Sequence, residues 1–551
     1  MIAEVIPRLR LFRTLGTFEY QIPGHLSVAS GDLVLIPWRT KVLLGAVLRV
    51  TSRSRVPQKK LRPILRVIVT QAFCPAYLDA LLWFSKYYFI SPASALHTWL
   101  PEIPQKRVPY ALTKFSHTVI RPEEPLGHSL SNSVFQKYTS QIITRIFHAK
   151  STTLVCSRFE EKVYFYHELL LRRCQGTVVI ITPTVFDVEK LCKALAPWHP
   201  LPFHSQISRK KLWEHFWLSH KDPQTRVVIG TKKAIFSLPE KFSLLIIDQE
   251  ESPHHKQYDQ NPRYTVHDLA FYFVRKALSH VVFVSHAPRA TTAFHTELLS
   301  ITPVRARDLL QIIDMNLFPR HAAFTLFSDM LAQFISSHSP AFIFHNRTGF
   351  ARYLVCHVCN RVYTFSSVTR CQQCGSTHLT SAGFGTQKIF QDIQHLLPPK
   401  HIYIFDRFHR HDPPNNTNVI GTEFAFDKLD FERFQSFVVL GIDRQLALPS
   451  WRAHERVFQL LSFFATFGHP IFIPTFAPKH FVLQSLLSNT LQKFYEHELR
   501  LRQNFSYPPF VKLIKVIDPK SKAISLLKNP PRTWQPPTNA LVDVDPDLFL
   551  Q

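Results

Sequence analysis

The chain has 551 residues, with 65 lysines and arginines against 39 acids and a formal net charge of +26. Apolar residues at 45% and aromatics at 13% exclude a disordered chain. A positive surplus of this size calls for a polyanionic partner, either nucleic acid or an anionic membrane face.

Short strand-like runs open the sequence at Phe18–Ile22 and Leu33–Ile36, with turns at Pro23-Gly24 and Ser30-Gly31-Asp32 and a helical period over Tyr77–Phe89. They predict a small β-rich module over 1–101. Residues 102–132, rich in proline, serine and basic side chains, read as a linker or the remnant of a small domain. From 133 onward helices alternate with short all-apolar strands at 178–181, 226–229, 244–247 and 281–284. That pattern predicts a parallel sheet buried on both faces. A second set begins at 341–344 and continues through 402–405, 419–420 and 437–440. The predicted fold class is therefore α/β, with parallel-sheet lobes at 133–310 and 311–480 and a short C-terminal domain at 481–551.

The N-terminus carries Glu4 and several arginines, which interrupt the apolar core of a signal peptide. Val457 to Pro478 contains no Lys, Arg, Asp or Glu, but Pro470 and Pro474 would break a spanning helix. A buried helix followed by a buried strand is expected there, and no membrane association.

Cys74, Cys156, Cys174 and Cys192 are scattered in apolar surroundings and read as reduced core thiols. Cys356, Cys359, Cys371 and Cys374 form two C-x-x-C pairs. Four thiolates on two tight turns suit one closed, tetrahedral, structural Zn²⁺ in a ribbon over 354–376, and a reducing, cytoplasmic setting follows. A redox pair or unrelated buried thiols are the alternatives. His357 and His378 are spare ligands for which four cysteines leave no vacancy.

Asp248-Gln249-Glu250-Glu251 follows a predicted strand, where ATP-driven motors keep a magnesium-binding acid; a solvated acidic turn is the plainer reading. A glycine-rich phosphate cradle is missing, because no glycine in the chain is followed by lysine. Its place reads Val155-Cys156-Ser157-Arg158-Phe159-Glu160-Glu161, and two carboxylates facing a triphosphate would repel it. A chain without catalytic or cofactor-binding residues, and without ATP hydrolysis, is expected. Basic residues cluster at Lys59-Lys60-Leu61-Arg62, Arg209-Lys210-Lys211 and Arg500-Leu501-Arg502. Aromatic and basic residues interleave at Lys256, Tyr258, Arg263 and Tyr264, a mix that stacks bases and neutralises phosphates on single strands. Solvated surface is the alternative for each cluster.

These residues resemble the bacterial replication-restart helicase family, primosomal protein N′ (PriA). Asp248 to Ala270 is similar to that family's D-E-E-H motif and the aromatic-rich loop after it, and Arg226 to Phe236 to the segment before it. Leu446 to Leu461, Phe505 to Phe510 and the ending Val542-Asp543-Val544-Asp545-Pro546 resemble later signatures. The departures fall on phosphate-facing motifs. G-S-G-K-T falls on Ser157 to Glu161, S-A-T-P reads Ser285-His286-Ala287-Pro288, and A-G-R-A-G-R reads Ala465 to Pro470.

The resemblance implies two helicase-like (RecA-type) lobes, an N-terminal DNA-binding domain that holds the 3′ end of the nascent leading strand, and a reduced winged-helix remnant at 102–132. The T-F-D-Y motif falls on Thr17-Phe18-Glu19-Tyr20, so Phe18 would pack on the terminal base, with Glu19 in place of the aspartate and Arg62 as basic partner. The family's turn glycine near Pro37-Trp38-Arg39 is missing. The expected function is restart of abandoned or stalled forks without ATPase activity. Partners would be forked and single-stranded DNA, primosome proteins and the replicative helicase or its loader. Two alternatives are an active 3′-5′ helicase with an unorthodox nucleotide site and a protein-interaction scaffold that no longer binds DNA.

Overall fold

Leu244 to Ile247 is apolar at every position because both faces of its strand are covered. Leu244 and Ile246 pack into one cluster with Leu154, Val178 and Val163, while Leu245 and Ile247 point into another with Val179, Val228 and Phe283. The computed structural model describes the chain except residues 14, 103–132, 157, 174–176, 222–226, 238–241, 277, 301–305, 319–322, 347–352, 357, 360, 365–368, 383–389, 391–392, 394–401, 427, 519–520, 532–533, 538–539 and 547–551. The supposed linker or winged-helix remnant at 102–132 thus lies, beyond Glu102, outside the described residues. Two units divide the chain: Met1–Thr302 together with Leu499–Gln551, and Pro303–Glu498.

The first unit opens with an antiparallel sheet of β1 (Ile2–Pro7), β2 (Phe18–Gln21), β3 (Leu33–Trp38), β4 (Lys41–Thr51) and β5 (Arg66–Val69), in the order β2-β1-β4-β3-β5. Helices α1 (Pro75–Tyr87) and α2 (Pro92–Trp99) follow, each with proline at its start, where the missing N–H costs nothing. Next comes an all-parallel sheet of β6 (Ser151–Val155), β7 (Thr177–Ile181), β8 (Leu201–Phe203), β9 (Val227–Gly230), β10 (Phe242–Asp248), β11 (His280–Ser285) and β12 (Glu297–Ser300). Its order is β12-β6-β11-β10-β7-β9-β8. Helices α3 (Ser133–His148) and α4 (Phe159–Arg173) flank β6 in sequence. Gly230 ends β9 because a Cβ there would lie 2.4 Å from the Phe203 carbonyl oxygen and 2.5 Å from Ala234.

The second unit holds β13 (Leu310–Asp314), β14 (Ala341–Phe344), the small antiparallel sheet β15 (Tyr353–Cys356), β16 (Val362–Thr364) and β17 (Leu379–Ala382), then β18 (Ile402–Phe405), β19 (Asn418–Gly421), β20 (Ser436–Val439) and β21 (Ile471–Thr475). Its main sheet is parallel in the order β13-β21-β20-β14-β19-β18. The stretch without Lys, Arg, Asp or Glu falls on the buried helix Ala453–Ala465 and strand β21, as expected. Among the described residues no helix is long and apolar enough to cross a membrane.

The last three strands, β22 (Leu513–Ile517), β23 (Ile524–Lys528) and β24 (Leu541–Val544), form an antiparallel sheet in the order β23-β22-β24 within the first unit. Ile514, Val542 and Val544 share a core with Phe84, Trp99, Phe236 and Tyr264. The C-terminal segment therefore completes the N-terminal unit.

With 14 glycines in 551 residues, several turns are made without one. Among the described residues, Arg39 (φ +51) and Gln249 (φ +48) are two of eleven non-glycine residues that adopt the left-handed conformation. Both stand beside predicted site residues.

Candidate nucleic-acid interface and metal site

Strand β2 delivers Phe18, Glu19 and Tyr20 to one end of the N-terminal sheet, beside the tip of the β3–β4 hairpin and the segment Arg55–Arg62. Together they enclose a cleft of about 530 Å³ lined by Phe18, Glu19, Tyr20, Trp38, Arg39 and Arg62, among others. Phe18 meets the Trp38 ring edge-on, with centroids 4.6 Å apart, which forms an aromatic wall. The Glu19 carboxylate accepts from Ser54 Oγ at 2.5 Å and the Arg55 N–H at 2.9 Å. The Ser54 bond, ahead of burial, which works the other way, holds Glu19 below the usual carboxylate range. Buried Tyr20 reaches the Pro37 carbonyl at 3.3 Å, and burial pushes its hydroxyl up to about 12 against the pull of Arg62.

The missing turn glycine has a local solution. Trp38 pairs with Lys41, so Arg39-Thr40 is a two-residue hairpin loop, and Arg39 itself takes the left-handed conformation. Arg62 donates to the Arg39 carbonyl at 2.8 Å. The strained turn and the pocket's basic residue hold each other, and the fold brings Phe18, Glu19, Tyr20 and Arg62 into one site.

The aromatic-rich loop behaves differently. Lys256 is buried, donating to the Val544 and Asp545 carbonyls at 3.0 and 2.8 Å and pairing with Asp543 at 2.8 Å. Arg263 pairs with the same carboxylate at 3.3 Å. Tyr264 is a core residue against Phe236 and Phe84. Of the four, Tyr258 is the most exposed, at 39%, and Arg263 is half-buried. The structure thus corrects Lys256 and Tyr264 as DNA contacts: the C-terminal strand β24 encloses them. Of the basic clusters, Arg209 faces solvent beside Glu102, whereas Arg502 is buried.

At the carboxyl end of β10, Asp248 is fully buried. Its carboxylate lies 3.0 Å from Lys162 Nζ on α4 and 2.9 Å from the Tyr166 hydroxyl, and its carbonyl is 2.8 Å from His255 Nε2. Burial opposes the Lys162 ammonium, but Asp248 outweighs it and holds Lys162 above its ordinary range. Spacing along the sequence missed Lys162, which stands one residue past the segment that falls on the phosphate motif. Glu250 accepts from the Arg289 N–H at 2.5 Å and Thr292 Oγ1 at 3.0 Å, with His267 Nε2 at 2.7 Å. Glu251 pairs with His286 Nδ1 at 2.9 Å. Neither Asp248 nor Glu250 is a solvated acidic turn.

In the second unit, β15 ends at Cys356, and the four thiols of Cys356, Cys359, Cys371 and Cys374 all lie within 4.8 Å of one another. A tetrahedral Zn²⁺ with bonds of about 2.3 Å sets sulfurs roughly 3.8 Å apart, so this donor set fits the ion. The turn after Cys371 closes with the Gly375 N–H on the Cys371 carbonyl at 2.8 Å, and Gly375 has φ +69. Burial would raise the Cys371 thiol, but bonds from Tyr363 and the local backbone bring it down to about 6. Elsewhere, Cys156 is buried and pushed up to about 12 by burial, as a core thiol should be.

The model of the 3′ DNA-binding domain of PriA matches residues 4–101, the span that contains the pocket. Replication restart protein PriA of Chlamydia pneumoniae is 23% identical over 97% of this chain and 88% of its own. That of Chlamydia trachomatis serovar D is 27% identical over 94% and 87%, and that of Rickettsia conorii 22% over 96% and 88%. The chain is similar to PriA proteins along nearly its whole length. Among solved structures, RecG bound to a three-way DNA junction is similar over 78% of this chain and 52% of its own, at 11% identity and a TM-score of 0.40.

That similarity to PriA proteins corrects one expectation. The PriA relatives align along nearly the whole chain, through the very segments that lack the phosphate motif, and nothing in them marks this chain as inactive. The PriA relatives point to an ATP-dependent helicase, and the expectation of a catalytically inactive chain is overturned. The fold also sets the Lys162 ammonium 3.0 Å from the Asp248 carboxylate, one residue past the segment that lacks the phosphate motif.

Two outcomes are expected. Metal analysis of the purified chain should find one zinc, falling below half an equivalent in Cys371→Ser; a wild-type value that low rejects the four-cysteine site. Burial, the largest influence, raises Glu250 from the ordinary 4.5 to about 7 against the attraction of Arg289. Its contribution to stability is complete below pH 4.5 and is lost as pH rises through 7. The stability difference between wild type and Glu250→Gln, measured by urea unfolding, should therefore shift in favour of the variant across that interval.

Proposed function

We propose that the chain is a replication-restart protein that recognises abandoned or stalled forks by their 3′ leading-strand end and helps to reload the replicative helicase. The pocket of Phe18, Trp38 and Arg62, within the span that matches the PriA 3′ DNA-binding domain, carries this reading. The terminal base would stack on the Phe18–Trp38 wall while Arg62 neutralises the backbone. Its partners are forked and single-stranded DNA, primosome proteins and the replicative helicase or its loader. The four-cysteine ribbon holds one structural Zn²⁺ and rigidifies a surface for such contacts. The domains run 1–101, 102–132, 133–310, 311–480 and 481–551.

Lys162 favours an active motor within the same reading. Its ammonium, 3.0 Å from Asp248 at the carboxyl edge of a parallel sheet, stands where a nucleotide's phosphates and their metal would be met. Fork-stimulated ATP hydrolysis is expected, falling at least tenfold in Lys162→Met once its melting curve shows a folded protein. No turnover in the wild-type chain, or undiminished turnover in the variant, rejects this site.

Fork recognition is tested by equilibrium binding to a fork with a free 3′ leading-strand end and to plain duplex of equal length. Preference for the fork should weaken in Phe18→Ala, and affinity should fall roughly tenfold to a thousandfold between about 50 and 200 mM salt. Equal affinity for fork and duplex rejects the restart sensor.

A further inference from the structure

We infer that Asp187 is the general base of this chain's nucleotide site: the carboxylate that orients the attacking water and takes its proton when ATP is hydrolysed. This rests on the motor reading above and supplies a group that reading lacks.

Transfer of a phosphoryl group to water needs a side chain that orients the water. In the D-E-E-H pattern that Asp248-Gln249-Glu250-Glu251 resembles, the second acid is here a glutamine. A neutral carboxamide donates and accepts hydrogen bonds but takes up no proton near neutral pH. The acids around it are committed elsewhere. Asp248 is held by Lys162 and Tyr166, Glu250 by Arg289, Thr292 and His267, and Glu251 by His286.

Gln249 itself leads to the replacement. Its left-handed backbone follows Asp248 directly, and its Nε2 donates to Asp187 Oδ1 at 3.1 Å. Asp187 lies in the first turn of helix α5 (Val185–Ala194), which follows β7, the strand paired with β10. The two carboxylate oxygens are used differently. Oδ2 closes a capping box, accepting from the Thr184 N–H at 3.2 Å and Thr184 Oγ1 at 2.6 Å. Oδ1 takes no part in the cap. Among the described residues Gln249 is its one donor, and a carboxylate oxygen accepts two.

Helix α5 also stands against the segment on which the phosphate motif falls, since Lys190 Nζ, one turn on from Asp187, is 4.0 Å from the centre of the Phe159 ring. Burial works against the Lys162 ammonium, and Asp248, with Asp187 behind it, holds it above its ordinary range. Asp187 is thus half-buried beside the same lysine and aspartate that would meet the nucleotide. In the step itself the water oxygen bonds to the γ-phosphorus. The bond from that phosphorus to the bridging oxygen breaks, its electron pair leaving on ADP. One proton of the water passes to Asp187 Oδ1 and from there to solvent.

The test is steady-state ATP hydrolysis by the full chain with fork DNA, alongside melting curves and the binding of a fluorescent ATP analogue. In Asp187→Asn the amide oxygen can still cap α5, so melting temperature and analogue affinity should match wild type while kcat falls roughly a hundredfold. Adding Gln249→Glu, which puts an acid back beside Asp248, should recover about tenfold of that loss. Turnover in Asp187→Asn within about threefold of wild type, while Lys162→Met has lost it, overturns this assignment and leaves the motor intact. A fall that the added acid does not recover, or that comes with a lower melting temperature or weaker analogue binding, marks a helix cap and overturns it too. A wild-type chain that hydrolyses no ATP overturns the motor reading and this assignment together.

Discussion

Asp248 and Glu250 leave a strand that has no solvent on either face, so each of their charges has to be answered by another group of the protein. Burying a carboxylate without a partner costs several kcal/mol, far more than a surface contact returns. Lys162 and Tyr166 answer Asp248, and Arg289, His267 and Thr292 answer Glu250. These partners come from three separate segments, which are thereby tied to the edge of the sheet. Gln249, between the two acids, is held in the left-handed conformation with its side chain on Asp187 at 3.1 Å. Strain of this kind persists only where the surroundings fix it.

The departures from the family's motifs are not independent of one another. Glu251 stands where the family has histidine, and its partner is His286, in the segment that falls on the serine-alanine-threonine motif. An acid at one departing position is thus met by a base at another, and the pair joins the two loops. The same logic holds at the pocket, where the lost glycine is replaced by a strained arginine whose carbonyl is held by Arg62.

The parallel strands were legible because burial on two faces demands runs such as Val178–Ile181 and Leu244–Ile247. Strand β6 was not, because Ser151-Thr152-Thr153 breaks the apolar run, although Thr153 is fully buried beside Thr296 at 2.6 Å. The zinc ligands were legible from spacing alone, since both pairs lie on local turns. The pocket was found through resemblance, as its residues come from four stretches that no periodicity connects. Lys256 and Arg263 were misleading for a physical reason. Their partner Asp543 is 280 positions away from Arg263, and a basic residue beside an aromatic looks the same in sequence whether it faces DNA or a buried carboxylate. Lys162 was not legible because no glycine precedes it, and only the fold sets it on Asp248.

The first unit is built from two stretches of chain, with the second unit inserted between them. This has a consequence for the order in which the protein forms on the ribosome. Residues 303–498 are contiguous and have all their own strands once synthesised, whereas the aromatic loop waits with Lys256 unanswered until β24 and Asp545 emerge. During that interval a buried-type ammonium and the apolar surface around Tyr264 are open to water and to other chains. The early half of the protein is thus the last to finish folding, and a ribosome that stalls before residue 541 releases a chain whose second unit can be whole and whose first cannot.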